Sequence, residues 1–217
     1  MKQFFSFFLF FCFFTALGQQ KITRKTQSDA PYVEVKTEGI DNLIIQESET
    51  SELEMVIVDA DGLGVVQDFV CNDFNCVLSI KTELKGTNDI NNKINQLPIA
   101  PPTNVSVIVK IPVNKKVTVY GETIDVQTDG YQGVLRILID KGNVRVKDIK
   151  GITEVNLFTG NVFANINNNS LNIKTRKGKI SLNDEVQKSP YKKRKKKTHL
   201  LVVKSISANV ILTQPES

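Results

Sequence analysis

The sequence predicts an all-β protein, a single-stranded β-solenoid of the β-helix type with coils of about 18–20 residues. Three six-residue segments, KGNVRV at 141–146, TGNVFA at 159–164 and KGKISL at 177–182, recur with a period of 18. Each segment has glycine in second position and apolar residues in fourth and sixth position. A short fixed period is typical of a unit that stacks on copies of itself, and alternating apolar residues are typical of half-buried strands.

Equivalent apolar residues should form continuous columns inside such a stack. Ile137, Val155 and Ile173 align at this same period, so we expect them to lie one above another. In the preceding coil, Val117 and Val119 match Ile137 and Ile139 at an offset of 20, which predicts a slightly longer coil there. Turns at the two corners are predicted by residues that accept a positive φ: Gly142, Gly160 and Gly178 at one, and Gly133, Gly151 and Asn169 at the other.

A final coil follows an insertion. Leu171, Ile173, Ile180 and Leu182 match Leu201, Val203, Val210 and Leu212, each at an offset of 30. The segment KSPYKKRKKKTH therefore interrupts an otherwise preserved 18-residue coil, and we place a basic loop at 185–199. An insertion at a corner needs to bury nothing, and the final coil is expected to cap the stack.

The N-terminal half is less regular. Residues 31–84 alternate in β fashion, so an N-terminal β region should precede the regular coils. The polar residues 19–30 predict a flexible leader, and the Asn- and Pro-rich residues 86–103 predict a polar loop. The predicted β-solenoid domain spans 31–213.

Residues 1–18 have the pattern of a secretory signal peptide. Lys2 precedes an apolar run from Phe4 to Phe14, and small residues stand before a cleavage position at Gln19. Lipidation at Cys12 is disfavoured because phenylalanines precede it where small residues are required. We expect an exported protein that is periplasmic, outer-membrane-associated or extracellular, without a transmembrane segment in the mature chain.

Cleavage would leave two cysteines, Cys71 and Cys76, on either side of a short polar turn. An oxidising compartment favours a disulfide between them, and the alternative is a pair of buried thiols. A metal site is disfavoured because His199 is the chain's single histidine. No cofactor is expected.

The net charge of +5 hides an uneven distribution. The insertion alone carries seven cations, whereas the rest of the mature chain is slightly acidic. The candidate residues for binding an anionic surface are Lys192, Lys193, Arg194, Lys195, Lys196 and Lys197. Candidate partners are an anionic glycan, a lipid head group or an envelope protein, and the alternative is a solvated loop without a ligand. Nucleic acid is disfavoured because only Tyr191 accompanies these cations.

Outward positions supply two further predictions. Arg136 and Glu154 occupy equivalent positions in successive coils, which predicts an ion pair between these coils. Outward Phe158 and Phe163 predict an exposed apolar patch that binds a partner, unless they pack beneath the 185–199 loop.

The segment VIVKIPVNKKVTVYGETIDVQTDGYQGV at 107–134, followed by KGNVRV, TGNVFA and SANVIL, resembles the "putative adhesin" family of β-strand-repeat domains, head-GIN-domain-like exported bacterial proteins. The resemblance covers about residues 31–213 and implies an exported β-solenoid with an adhesin-like role. The Lys-rich insertion and the cysteine pair depart from the family pattern.

No catalytic residue is predicted. A glycosidase needs two carboxylates at a defined separation, and the clear repeats align none, although Asp125 and Asp148 could approach each other across corners. The prediction is therefore a non-catalytic binding module of the bacterial envelope. The alternatives are a structural or regulatory envelope protein that binds another protein and, with less support, a polysaccharide-acting β-helix enzyme.

Overall fold

The computed structural model describes residues 20–59, 64–83, 105–167, 169–196 and 199–215. Over these residues the protein is all-β and contains no helix. None of the described residues therefore belongs to an apolar helix that could cross a membrane. The predicted signal peptide and the predicted 86–103 loop lie outside the described residues.

Within the described ranges, seventeen strands form one hydrogen-bonded network. The first nine are β1 (Gln20–Gln27), β2 (Tyr32–Glu38), β3 (Asn42–Glu47), β4 (Glu52–Asp59), β5 (Gly64–Cys71), β6 (Asn75–Glu83), β7 (Val105–Ile111), β8 (Lys116–Thr123) and β9 (Asp125–Thr128). The remainder are β10 (Val134–Val146), β11 (Ile152–Asn165), β12 (Ser170–Thr175), β13 (Ile180–Leu182), β14 (Glu185–Gln187), β15 (Tyr191–Lys193), β16 (Leu200–Ser205) and β17 (Asn209–Thr213).

The pairings arrange these strands in two columns. The first column runs β5, β6, β2, β8, β10, β11, β16, β12, β15. The second runs β1, β4, β7, β3, β9, β10, β11, β17, β13, β14. Each repeat gives one strand to each column, and the long strands β10 and β11 contribute to both. Neighbouring repeats pair in parallel, whereas antiparallel strands stand at both ends.

The 18-residue spacing is confirmed in the strand register. In the β10–β11 pair, Ile137 lies opposite Val155, and Gly142 lies opposite Gly160. The offset of 20 predicted for the preceding repeat is wrong, because Val119 lies opposite Ile137 at an offset of 18. Side chains alternate with a period of two, so a shift of two positions keeps every side chain on the same face. The apolar pattern alone could not separate the two offsets.

The predicted order of the last two repeats is wrong. Val155 lies opposite Val203, and Val203 in turn lies opposite Ile173. The final repeat thus runs between the repeats 152–165 and 170–182 instead of capping them, although its alignment with 170–182 at an offset of 30 is confirmed. Equal spacing identifies equivalent positions, but it does not determine which copies are adjacent.

The N-terminal β region is likewise interleaved with the regular repeats and does not precede them. Strand β2 lies between β6 and β8, and β3 lies between β7 and β9. The expectation of a flexible leader at 19–30 is corrected as well, because Gln20–Gln27 forms β1 and pairs along its whole length with β4. Strands at an edge of a sheet recruit any extended segment that can satisfy their free backbone groups.

The core between the columns is a continuous set of aliphatic side chains. Val155, Val203 and Ile173 have no exposed surface, and each fully buried side chain of this size contributes about 1.5–3 kcal/mol. Glycine at the first corner is required by conformation, since φ is 143° at Gly142 and 133° at Gly160. The positive φ that was predicted is absent at Gly133, Gly151 and Asn169 of the other corner, and also at Gly178 of the first corner. A Cβ on Gly151 would instead collide with the Gly133 carbonyl oxygen.

Candidate functional site

The basic insertion covers one end of the two columns. Strand β14 pairs antiparallel with β13, and β15 pairs antiparallel with β12. The hydroxyl of Ser189 donates to the carbonyl oxygen of Thr175 at 2.7 Å and accepts from its amide at 3.1 Å. Tyr191 packs against the core. The insertion therefore does bury surface, because it pairs with the last strand edges that the repeats leave open.

The cationic side chains of the insertion point into solvent. Lys192, Arg194, Lys195 and Lys196 are exposed, while Lys193 is half-buried and donates to the side-chain oxygen of Gln214 at 3.1 Å. Within the described part of the chain, none of them takes part in an ion pair. Lys197 lies outside the described residues.

The basic surface is wider than the lysine run that marks it in the sequence. The repeat beneath the insertion adds Lys174, Arg176, Lys177 and Lys179, all exposed. We call these residues together with the insertion cations the basic end. Its acidic residues in the described part are Asp184, directly before β14, and Glu185, the first residue of β14. Close cations without carboxylate partners produce a strong positive field, so this surface suits an anionic ligand.

A shallow groove of about 760 Å³ lies along one corner of the molecule. Its floor follows a row of paired residues from five neighbouring strands: Lys36, Tyr120, Leu138, Asn156 and Lys204. The groove also exposes Phe158, whose exposed fraction is 58%, and Ile206, at 37%. This arrangement agrees with the predicted apolar patch at Phe158.

The second predicted aromatic residue has a different environment. The guanidinium of Arg145 lies 5.4 Å from the centre of the Phe163 ring, within the range of a cation–π contact. Phe163 is on β11, whereas the insertion pairs with β12 and β13. Neither phenylalanine belongs to the core cluster or its partly buried neighbours.

Glu154 is the centre of the predicted ion pair between repeats. It accepts from Arg136 Nε at 3.0 Å and, unpredicted, from Lys204 Nζ at 3.0 Å. Hydrogen bonding to Lys204, assisted by Arg136, holds the pKa of Glu154 below its usual value against the opposing effect of burial. The sequence could not predict the Lys204 contact because it depends on the interleaved order of the repeats.

Asp125 was predicted to approach Asp148, but its partners in the structure are Asn143 and Arg145. Its carboxylate accepts from the backbone amide and the side-chain amide of Asn143, at 2.8 and 3.1 Å, and lies 3.6 Å from Arg145. In the described ranges no three His, Cys, Asp or Glu residues are grouped as a metal site would require. His199 is half-buried at the end of the insertion.

An asparagine ladder continues from Asp125 and was not predicted. The side-chain amide of Asn161 donates to Asn143 at 2.9 Å, and that of Asn209 donates to Asn161 at 3.3 Å. Each asparagine side-chain amide of the ladder thus donates to the ladder residue on the neighbouring strand nearer Asp125. Asp125 has a carboxylate that only accepts, and it stands at the end of the ladder. The signal in the sequence that could have predicted this ladder was the asparagine that follows glycine in two successive repeat segments.

Cys71 and Cys76 lie opposite each other at the tip of the β5–β6 hairpin, with Cα atoms 4.0 Å apart and sulfur atoms in bonding contact. Asn72 stabilises the tip, since its side-chain oxygen accepts from the amides of Phe74 and Asn75. The two cysteines are far along the columns from the basic end.

The fold as a whole is similar to known structures. A crystal structure from Clostridium sporogenes, described as a "putative cell adhesion protein", aligns with a TM-score of 0.63 at 12% identity, over 91% of this chain and 100% of the other. The two proteins share a fold. At this identity the likeness concerns architecture alone.

Two further structures align at lower scores. A "putative adhesin" from Bacteroides fragilis has a TM-score of 0.32 at 12% identity, over 90% of this chain and 98% of the other. A "putative lipid binding protein" from Parabacteroides distasonis has a TM-score of 0.31 at 13% identity, over 90% and 97%. Scores at this level carry no argument about this chain. No family model and no curated protein sequence matches it.

Proposed function

We propose that this protein is an exported, non-catalytic, adhesin-like binding module of the bacterial cell envelope, and that its basic end contacts an anionic surface. The observation that carries the proposal is the group of exposed cations on and beneath the insertion, which have no carboxylate partner among the described residues. The fold it shares with a described cell adhesion protein supports the adhesin-like role.

The proposed architecture is a β-solenoid with residues 31–213 as its main body and β1 added to it. The constant 18-residue register across β8, β10 and β11 supports this description, as does the contribution of one strand per repeat to each column. Residues 1–18 are proposed as the signal peptide. Export then places the binding surface in the periplasm, at the outer membrane or outside the cell.

The position of the cations favours a flat partner over a small ligand. The cations of the basic end are spread over two neighbouring strands and the chain that follows them. Lipid phosphates or acidic glycans present many charges on one surface, and each juxtamembrane cation contributes about 1 kcal/mol to such a contact. Screening by salt should weaken this interaction strongly.

Vesicle sedimentation tests this proposal. The protein is mixed with phosphatidylcholine vesicles with and without about one third phosphatidylglycerol, at low and high salt. The triple variant Lys192→Ser, Arg194→Ser, Lys196→Ser should lose binding to anionic vesicles. The matched variant Lys141→Ser, Lys147→Ser, Lys150→Ser removes three exposed cations elsewhere and should retain it. An acidic polysaccharide used as competitor distinguishes a glycan from a lipid preference, and equal binding by both variants would refute the role of the insertion.

The second candidate function is a structural or regulatory envelope protein that binds another protein. The groove beside Phe158 favours it, because Tyr120, Phe158 and Ile206 all expose apolar surface in this groove and protein interfaces are enriched in aromatic residues. Phe158→Ser should then abolish capture of an envelope partner that the wild type retains at high salt. Binding that disappears at high salt favours the basic end instead.

A further inference from the structure

We propose that copies of this protein associate head to tail, with the basic end of one copy against the β1/β5 end of the next. This inference goes beyond the proposed function and does not depend on it. It rests on the distribution of charge between the two ends of the columns and on the sign of the charge in each column.

The two ends carry opposite net charge. Strands β1 to β7, within residues 20–59, 64–83 and 105–111, contain twelve carboxylates and six cations, a net charge of −6. Residues 169–196 and 199–204, which form the other end, contain eleven cations and two carboxylates, a net charge of +9. Two copies placed end to end in the same direction therefore attract each other, whereas two like ends repel each other.

The outermost strands of the first column have complementary charges. At the basic end, β15 and the residue after it present the exposed side chains of Lys192 and Arg194. At the opposite end, the β5–β6 hairpin presents the exposed side chains of Asp68 and Asp73. A translation along the columns brings these two groups against each other.

The outermost strands of the second column also have complementary charges, but here the acidic residues are at the basic end and the cations are at the opposite end. At the basic end, Asp184 and Glu185 accompany β14, whereas at the opposite end the exposed side chains of Lys21 and Arg24 lie on β1. The register through the second column places Arg24 in the row of Glu185, so the same translation superposes this pair, whereas Lys21 lies three positions farther along β1. A single movement therefore brings opposite charges together in both columns, which a generally acidic or basic end would not do.

Apolar side chains also accompany both ends. In the second column, Val186 on β14 is 75% exposed and Ile22 on β1 is 39% exposed. In the first column, Val70 on β5 is 61% exposed.

Strands β1 and β5 each have one edge that pairs with no described strand, and such edges readily accept another chain. A heterologous contact of this kind does not close on itself, so it produces linear arrays.

Sedimentation velocity of the protein, expressed with its own leader and purified after export, is the first test. At about 10 mM salt the weight-average sedimentation coefficient should rise with concentration beyond that of a dimer, and at about 0.5 M salt it should return toward the monomer value. A monomer at low salt over the whole concentration range would overturn the proposal. A dimer that grows no further would overturn it too, because that outcome indicates a closed contact.

Charge reversal at each end supplies the second test. Lys192→Glu, Arg194→Glu, Lys196→Glu and, separately, Asp68→Lys, Asp73→Lys should each reduce self-association at least about tenfold. An equimolar mixture of the two variants should form at least heterodimers, since the native β1/β5 end of one variant can meet the native basic end of the other. Heterodimer formation excludes misfolding as the cause of either loss, and a mixture that stays monomeric contradicts the proposal. Binding to anionic vesicles by the Asp68→Lys, Asp73→Lys variant separates this result from failure of the proposed function.

Discussion

Glu154 Oε1 accepts a hydrogen bond from Lys204 Nζ at 3.0 Å, although the two residues lie 50 positions apart in the chain. The contact exists because β16 lies directly beside β11 in the first column. It therefore reports on the interleaved order of the repeats, and several expected outcomes follow from that order.

Glu154 should make stability depend on acid pH. Its pKa in the folded protein is held below its usual value by Lys204 first and Arg136 second. The corresponding stabilisation is present above the carboxyl's ordinary pKa of about 4.5 and is lost as pH falls through the lower folded-state pKa. Glu154→Gln should cost about 1 kcal/mol at neutral pH. Urea unfolding from neutral to acid pH should show the wild-type and variant curves converging, and a constant difference would contradict the assignment.

Engineered cysteine pairs test the order of the repeats directly. Val202 lies opposite both Glu154 and Asn172 in the register. The pairs Glu154→Cys/Val202→Cys and Val202→Cys/Asn172→Cys should therefore form disulfides under mild oxidation, as measured by mass spectrometry. The pair Glu154→Cys/Asn172→Cys should not, because two strand spacings, about 10 Å, separate these positions. Cross-linking of this last pair alone would show that the repeats are stacked in the order in which they occur along the chain.

Gly160→Ala should be among the most destabilising substitutions of a surface corner. The backbone φ there is 133°, and an added Cβ would collide with the carbonyl oxygen of Gly142. We expect a loss of roughly 2–4 kcal/mol in the free energy of unfolding. Gly121→Ala serves as the control, because its φ is ordinary and its nearest neighbours are side-chain atoms of Thr37 and Ile124. Equal losses at both glycines would indicate that the conformation at Gly160 is not required.

The asparagine ladder should depend on the direction of its hydrogen bonds. Asn161→Asp removes the amide that donates to Asn143 and places a carboxylate beside the Asn143 side-chain oxygen. It should cost more than Asn161→Ala, for which we expect about 1–2 kcal/mol. Asp125→Asn should be tolerated better than Asn161→Asp, since position 125 only accepts from Asn143. Thermal unfolding of the three variants gives this ranking, and the reverse ranking would exclude a directed ladder.

The disulfide between Cys71 and Cys76 stays a prediction that thiol titration can test. Protein purified after export and unfolded without reductant should contain no free thiol. Cys71→Ser/Cys76→Ser should cost about 2 kcal/mol, the value expected for closing a very short loop. Two titratable thiols in the exported protein would indicate the alternative of a reduced pair.

The candidate site could be predicted only in part. The lysine run marked the insertion, because charge is visible in the sequence. The contributions of Lys174 and Arg176 could not be predicted, since they depend on the insertion folding back over β12 and β13. The groove has the same origin: Tyr120 and Phe158 come from separate repeats and face one corner only after those repeats are stacked.

The local structure of this chain was determined by the sequence itself. Alternating apolar residues select strands and their buried faces, and the glycines at 142 and 160 fix a corner, because both effects act within a few residues. The order of the repeats was decided by tertiary structure. A strand edge accepts any segment with a matching apolar face, and many segments of this chain have one, so adjacency depends on which edges remain open. The final repeat enters beside Val155 while the insertion covers the edge beyond Ile173.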